Sequence, residues 1–389
     1  MRTLYQKFER LLQSTTTDFK RYLYNKIPWE SRMIGIIGAR GVGKTTMILQ
    51  HIKEKLDSKK ALYVSADDMY FGVNKLIDLA DDFHKNAGEY LFIDEIHKYP
   101  DWSREIKNIY DSFPALRVVF TGSSVLDILK GSADLSRRAI MCKLQGLSFR
   151  EYLKLFHNHD TKVYSLEEII HNEVKLENIQ HPLPLFKDYL RRGYYPFGLE
   201  NEMNVRLGQV IVQTLESDIP QYANLNVGTS RKLKRLLSII AESVPFKPNF
   251  SKISEMIGVS RNSLDDYFAY MEKAGLIGQL RNESTGIREL GKVEKVYLDN
   301  TNIIFNLAGE KTNVGNIRET FFFNQMRVNN EVVSSKKADF VIEPYTFEVG
   351  GKNKQQHQIE KDGNSFVVKD DIEYGYRNVI PLWAFGLNY

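Results

Sequence analysis

The stretch G-A-R-G-V-G-K-T-T, residues 38–46, directly follows the apolar run M-I-G-I-I. Gly38, Gly43, Lys44 and Thr45 fill every specified place of the pattern G-x-x-x-x-G-K-[ST]. Glycines tolerate positive φ and let backbone N–H groups come close to phosphate oxygens. A helix beginning near Lys44 would aim its N-terminus, with about half a positive charge, at the same anion. Ala39, Arg40, Gly41 and Val42 complete the loop, and Thr46 continues it into the helix. On this chemistry Lys44 reaches the terminal phosphates and the Thr45 hydroxyl ligates Mg²⁺.

A phosphate loop implies binding; hydrolysis needs a second group. It is expected in E-Y-L-F-I-D-E-I-H-K-Y-P-D-W, residues 89–102. Four apolar residues read as a buried strand ending at Asp94, and ligands of open α/β sheets bind at such carboxyl ends. Asp94 is placed to hold the Mg²⁺, and Glu95 to act as general base on the attacking water. A third strand, L-R-V-V-F-T-G-S-S (116–124), ends in Thr121, Ser123 and Ser124. Each is either a γ-phosphate sensor or a plain helix N-cap. Further on, D-L-S-R-R-A-I (134–140) offers Arg137 and Arg138. They are either a solvated pair or a source of the arginine that accelerates phosphoryl transfer in known cases by ~10³–10⁵.

Taken in order, G-A-R-G-V-G-K-T-T, L-F-I-D-E-I-H-K-Y-P-D-W, F-T-G-S-S and L-S-R-R-A…L-S-F-R-E-Y-L resemble a family of bacterial and archaeal AAA-type ATPases. Its members carry a winged helix and a C-terminal domain of unknown function related to restriction-endonuclease folds. The resemblance implies a P-loop NTPase parallel sheet of the AAA (ASCE) type, with ATP and Mg²⁺ as its ligands. It also implies a homo-oligomeric ring in which Arg138 acts on a neighbour's nucleotide, with Arg137 standing where the family has glycine. F-K-D-Y-L-R-R-G-Y-Y-P (186–196) resembles the family's Gly-Gly-Tyr-Pro element, with Tyr194 for the second glycine.

The middle of the chain carries a helix-turn-helix spacing. Ile253, Met256 and Ile257 make one apolar face and Gly258 the turn. Ser260 caps a second helix with core residues Leu264, Tyr267, Phe268 and Met271. That helix shows Arg261, Asn262, Asp265 and Asp266 outward. The first two suit base edges or phosphates; the aspartates do not. Upstream, Arg231, Lys232, Lys234 and Arg235, with Arg191 and Arg192, form basic clusters that either follow a phosphate backbone or line a solvated helix. Packing against protein is the other use of such a unit.

Near the C-terminus, a two-residue turn at Glu343-Pro344 puts residue 342 opposite 345, 340 opposite 347, and 339 opposite 348. Asp339 and Glu348 then oppose each other with Cβ atoms roughly 5 Å apart. Like charges so placed invite a bridging cation, and the resemblance points the same way, to a metal-dependent nuclease site. Yet Gly350 stands where that site would have lysine, with Lys352 two residues on, and Glu319 is a further acid that such folds recruit. The alternative is an inactive domain used for packing.

The elements that must position these residues fit a chain of 389 residues with 42% hydrophobic and 26% charged residues and a net charge of +4. That length suggests several domains. They are expected at 1–150 (P-loop ATPase), 151–230 (helical lid), 231–310 (winged helix) and 311–389 (an α+β endonuclease-like domain). A pI of about 8.7 permits a DNA partner without demanding one. One cysteine, Cys142, excludes a disulfide framework and Cys-based zinc sites. The absence of a long apolar run argues against a membrane and for a cytoplasmic protein. Three functions are expected: a DNA-associated ATPase motor or switch, an ATP-gated nuclease, or a signalling ATPase that assembles with a protein partner.

Overall fold

The structure, a computed structural model, describes residues 1–122, 135, 137–223, 225, 227–242, 247–282, 292–309, 312–335, 337–351 and 363–389. Ser123, Ser124 and Lys352 lie outside these residues. The chain forms two compact units, 1–145 and 146–389.

The first unit is built on five short apolar runs: β1 (Met33–Ile37), β2 (Ala61–Ser65), β3 (Tyr90–Asp94), β4 (Arg117–Gly122) and β5 (Ile140–Lys143). All pair in parallel, in the order β2-β3-β4-β1-β5. Every residue of β1 is buried, as a parallel strand covered on both faces must be. The described crossovers include α2 (Lys44–Lys55), α3 (Leu76–Lys85) and α4 (Trp102–Ser112), preceded by the N-terminal α1 (Arg2–Ser14). Because β4 lies between β1 and β3, the carboxyl ends of three strands stand side by side. That edge therefore gathers the phosphate loop, Thr121 and Asp94.

The second unit contains the three segments expected as lid, winged helix and C-terminal domain. They are tied together at shared points. The chain's last carbonyl, on Tyr389, accepts from Ser148 Oγ at 2.7 Å and Arg150 Nε at 2.9 Å. Asn302 Oδ1 accepts from the Tyr194 N–H at 2.9 Å, and Asn324 Nδ2 donates to the Asp299 carbonyl at 2.7 Å. Arg191 and Arg192 of R-R-G-Y-Y-P are exposed, but its tyrosines are core: Tyr194 and Tyr195 are each 2% exposed.

Helices Phe250–Ile257 and Arg261–Lys273 meet at Gly258, which adopts φ 66° and ψ 54°. The Ser260 side chain accepts from the Ser263 N–H at 3.1 Å, as an N-cap should. Leu264, Tyr267, Phe268 and Met271 are buried as expected. Met256 is not: it is 43% exposed, while Ile253 and Ile257 alone form the inner stripe of this two-turn helix. An antiparallel pair follows, β6 (Ile277–Arg281) with β7 (Val293–Leu298). A second sheet, ordered β12-β11-β10-β9-β8, closes the unit; its strands are β8 (Val333–Ser334), β9 (Phe340–Ile342), β10 (Tyr345–Gly350), β11 (Ser365–Lys369) and β12 (Val379–Pro381). Helix Val314–Met326 packs on it through Phe322, whose ring lies 5.0 Å from that of Phe340 and 5.2 Å from that of Phe347.

Candidate functional site

The loop after β1 is shaped by close approach. A Cβ on Gly38 would sit 2.3 Å from the Leu144 carbonyl oxygen, so this position admits only glycine. Gly41 and Gly43 adopt φ 83° and 95°, the left-handed region that side chains disfavour. The first backbone bond of α2 runs from the Met47 N–H to the Gly43 carbonyl at 3.1 Å. The N–H groups of Lys44, Thr45 and Thr46 therefore have no acceptor within the helix, and they converge at its positive end. Lys44 is 5% exposed, and its Nζ donates to the carbonyls of Gly38 and Ala39 at 3.0 and 2.9 Å. These carbonyls hold the ammonium over the loop.

Asp94 is the hub of the sheet's carboxyl edge. Its Oδ2 accepts from Thr45 Oγ1 at 2.5 Å and from the Tyr63 hydroxyl at 2.7 Å. Its Oδ1 accepts from Thr121 Oγ1 and from the Glu95 N–H, the latter at 3.1 Å. Four neutral donors thus orient this buried carboxylate. Thr121, fully buried, is engaged with Asp94, which makes it a positioner of that residue here. Tyr63, from the neighbouring strand β2, carried no sequence signal: a tyrosine in an apolar strand reads as core. Burial first, then Asp94, raises the Tyr63 hydroxyl well above its ordinary pKa, so it remains a donor.

Glu95 takes φ 51° and ψ 39°. A non-glycine residue held there stores of order 1–3 kcal/mol, typical of active sites. His97 Nε2 lies 3.5 Å from Glu95 Oε2, close enough for an ion pair. However, His97 is 4% exposed. Burial, and then the charges of Lys98, Arg40 and Lys44, push its imidazole down to about 3. It is therefore neutral at pH 7. His97 stood in the quoted 89–102 stretch without a role, because sequence spacing does not reveal a ring turned back under the strand end.

Lys44, Thr45, Asp94, Glu95 and Thr121 thus come together, and Arg138 stands apart. Its Nε and Nη2 donate to Asp111 Oδ1 and Oδ2, both at 3.0 Å, a bidentate pair with the end of α4. Arg137 is exposed.

Residues 30–153 match the AAA domain family. The first unit carries an AAA-type P-loop ATPase domain. Residues 183–313 match a domain of unknown function, DUF8612. An uncharacterized protein of Methanocaldococcus jannaschii is 27% identical over 290 residues; these are 69% of this chain and 60% of that relative's length. Among solved structures, the Walker-type ATPase PABY2304 of Pyrococcus abyssi gives a TM-score of 0.45 at 13% identity, covering 74% of this chain and 95% of its own. AMPPCP-bound DnaA from Aquifex aeolicus gives 0.27 at 13% identity, covering 69% and 88%.

The donor set of the AAA domain fits a magnesium nucleotide. The N–H groups at the start of α2 and Lys44 suit the phosphates, while Thr45 with Asp94 offers the oxygens that Mg²⁺ prefers.

Beyond the AAA domain, the basic clusters are partly committed. Lys232 Nζ donates to the Gly258 carbonyl at 2.9 Å, Lys234 pairs with Glu216, and Arg192 Nε lies 2.8 Å from Asp188 Oδ1. Arg231, Arg235, Arg261, Asn262, Asp265 and Asp266 are exposed. In the C-terminal sheet the pairing is as expected for Ile342 with Tyr345 and Phe340 with Phe347. The ladder ends there: Asp339 lies just outside the strand, its N–H donates to the Phe347 carbonyl at 3.1 Å and its Oδ2 accepts from the Val349 N–H at 3.0 Å, so the expected Asp339–Glu348 pair is not part of it. The surprise is Lys295 of β7. Its Nζ lies 3.0 Å from Glu319 Oε2 and 3.1 Å from Asp339 Oδ1, while the Tyr297 hydroxyl donates to Glu319 at 2.6 Å. Burial alone would lower the Lys295 ammonium, but the two carboxylates outweigh it and leave its pKa raised. Among the described residues no group of three or more His, Cys, Asp or Glu is arranged to hold a metal, and no helix is long and apolar enough to cross a membrane.

Proposed function

We propose that this chain is a Mg²⁺-dependent ATPase that works as an oligomer on DNA. The observation that carries the hydrolytic part is the Thr45–Asp94 contact, 2.5 Å, at the mouth of the phosphate loop, with Glu95 next in the chain. In this reading Lys44 and the α2 N–H groups bind the β- and γ-phosphates. Thr45 and Asp94 would hold Mg²⁺, which when bound would supply charge neutralisation. Glu95 takes the proton of a water whose oxygen attacks the γ-phosphorus, and the bond to the β-phosphate oxygen breaks to give ADP and phosphate. Arg138, or the exposed Arg137, completes the site of a neighbouring copy.

The DNA part rests on the helix pair 250–257 and 261–273 with the β6–β7 hairpin, read as a winged helix, and on exposed Arg231, Arg235, Arg261 and Asn262. Asp265 and Asp266 on the same helix favour a second reading, a signalling ATPase whose helix pair meets a protein. A metal-dependent nuclease at Asp339 and Glu348 is disfavoured by Lys295, which already neutralises Asp339; the C-terminal sheet is then structural.

The test is ATP hydrolysis against protein concentration, with and without duplex and branched DNA, with Glu95→Gln as the blank. A per-subunit rate that climbs with concentration and with DNA supports the proposal. A rate indifferent to DNA at low salt favours the protein-partner reading. Metal-dependent cleavage lost in Asp339→Ala would reinstate the nuclease.

A further inference from the structure

Arg21 has no place in the chemistry above, yet it is 5% exposed and lies against the phosphate loop. One guanidinium nitrogen, Nη1, donates to the Val42 carbonyl; the other, Nη2, donates to the Gln145 carbonyl at 2.7 Å. The segment that carries it is itself fastened to α2. Gln50 Nε2 donates to the carbonyls of Thr16 and Phe19 at 2.9 and 2.8 Å, and Lys53 Nζ to that of Thr15 at 2.7 Å. The next residue repeats the anchorage: the Tyr22 hydroxyl donates to the Lys143 carbonyl at 3.1 Å and accepts from the Gln145 N–H at 3.3 Å.

Val42 and Gly43 share a planar trans peptide, in which C=O and N–H point in opposite directions. Fixing the Val42 oxygen on Arg21 therefore turns the Gly43 N–H away from Arg21. That N–H directly precedes the N–H groups of Lys44, Thr45 and Thr46, which stand at the start of α2. Gly43 also holds φ 95°, and glycine's wide conformational range would let this peptide rotate if nothing held it. A rotated peptide would set a carbonyl dipole against a phosphate oxygen.

We infer that Arg21 is a positioning residue for nucleotide binding, a clamp that fixes the peptide between Val42 and Gly43 so that its N–H faces the phosphates. The inference rests on the ATPase reading. The clamp also makes the segment before the sheet part of the phosphate site, although that segment carries no recognisable motif.

The test is ADP affinity by calorimetry on the full chain, alongside the melting temperature without nucleotide. Arg21→Met keeps the apolar stem and removes the donors. It is expected to weaken ADP about tenfold, the worth of one or two lost hydrogen bonds, with the nucleotide-free melting temperature near that of the wild type. Millimolar guanidinium should restore part of that affinity and leave the wild type unchanged, a rescue that a merely structural role would not show. A folded Arg21→Met chain with wild-type ADP affinity overturns the clamp. If Arg21→Met does not fold, Arg21→Lys decides: one ammonium cannot span both carbonyls, so intermediate affinity supports the clamp and wild-type affinity overturns it. Failure of the wild type to bind ADP would instead sink the ATPase reading.

Discussion

The phosphate-loop edge of the AAA domain and the acid cluster of the C-terminal sheet use similar residues to opposite ends. At the first, Asp94 accepts from neutral donors, the hydroxyls of Thr45, Tyr63 and Thr121 and the Glu95 N–H. Lys44 is parked on carbonyls. Both groups are held in place by these contacts. At the second, Lys295 sits between Glu319 and Asp339, so the cluster's charge is met from within. A carboxylate awaits a cation when dipoles hold it; it is spent when an ammonium of the same chain reaches it first.

Several substitutions would break or sharpen this contrast. The largest effect is expected at the arginine pair. If Arg138 serves a neighbouring subunit, Arg138→Ala lowers the rate of a concentrated sample by ~10³–10⁵. Adding an excess of Glu95→Gln protein, whose Arg138 is intact, should recover activity. If Arg137→Ala carries the loss instead, the Asp111-bound arginine is structural. Next comes Glu95→Gln in the chain alone, expected to lower kcat by ~10²–10⁴ while ATP still binds, as checked by calorimetry.

In the C-terminal sheet, Lys295→Met should cost about 3 kcal/mol of stability, because it removes the ammonium that two mostly buried carboxylates share. Mn²⁺ should then raise the melting temperature of this variant and not that of the wild type; equal shifts would show that Lys295 does not occupy the cation position. Tyr63→Phe removes one donor from Asp94 and should raise the Mg²⁺ concentration needed for half-maximal activity by about tenfold. An unchanged requirement would show that the threonines orient Asp94 unaided.

The smallest effect is on pH dependence. Folding holds His51, stacked on Trp29 at 3.8 Å, down to about 4 and His97 down to about 3, against 6.5 for a free histidine. Between those values the unfolded chain binds more protons. Stability is therefore complete above pH 6.5 and is lost as pH falls toward 4 and then 3. His51→Phe should flatten the upper part of that decline in melting temperature; an unaltered slope would assign it to other groups.

The sequence by itself determined the phosphate loop, the Asp94-Glu95 pair, the helix-turn-helix core and the register that pairs Phe340 with Phe347. Each is local: glycines at set spacing, an apolar strand ending in acids, an i, i+3, i+4 stripe, a two-residue turn. Met256 shows the limit of such patterns, since the neighbours of a short helix decide how wide its buried stripe is. Only the tertiary structure decided what each acid meets. Tyr63 comes from a strand that sheet order places beside β3, His97 from a turn folded back under Glu95, Arg21 from a segment with no motif, and Lys295 from 44 residues before Asp339. Hydrogen bonds and charge pairs form between whatever the packed backbone brings within about 3 Å, and that adjacency is a property of strand order and crossover rather than of spacing along the chain.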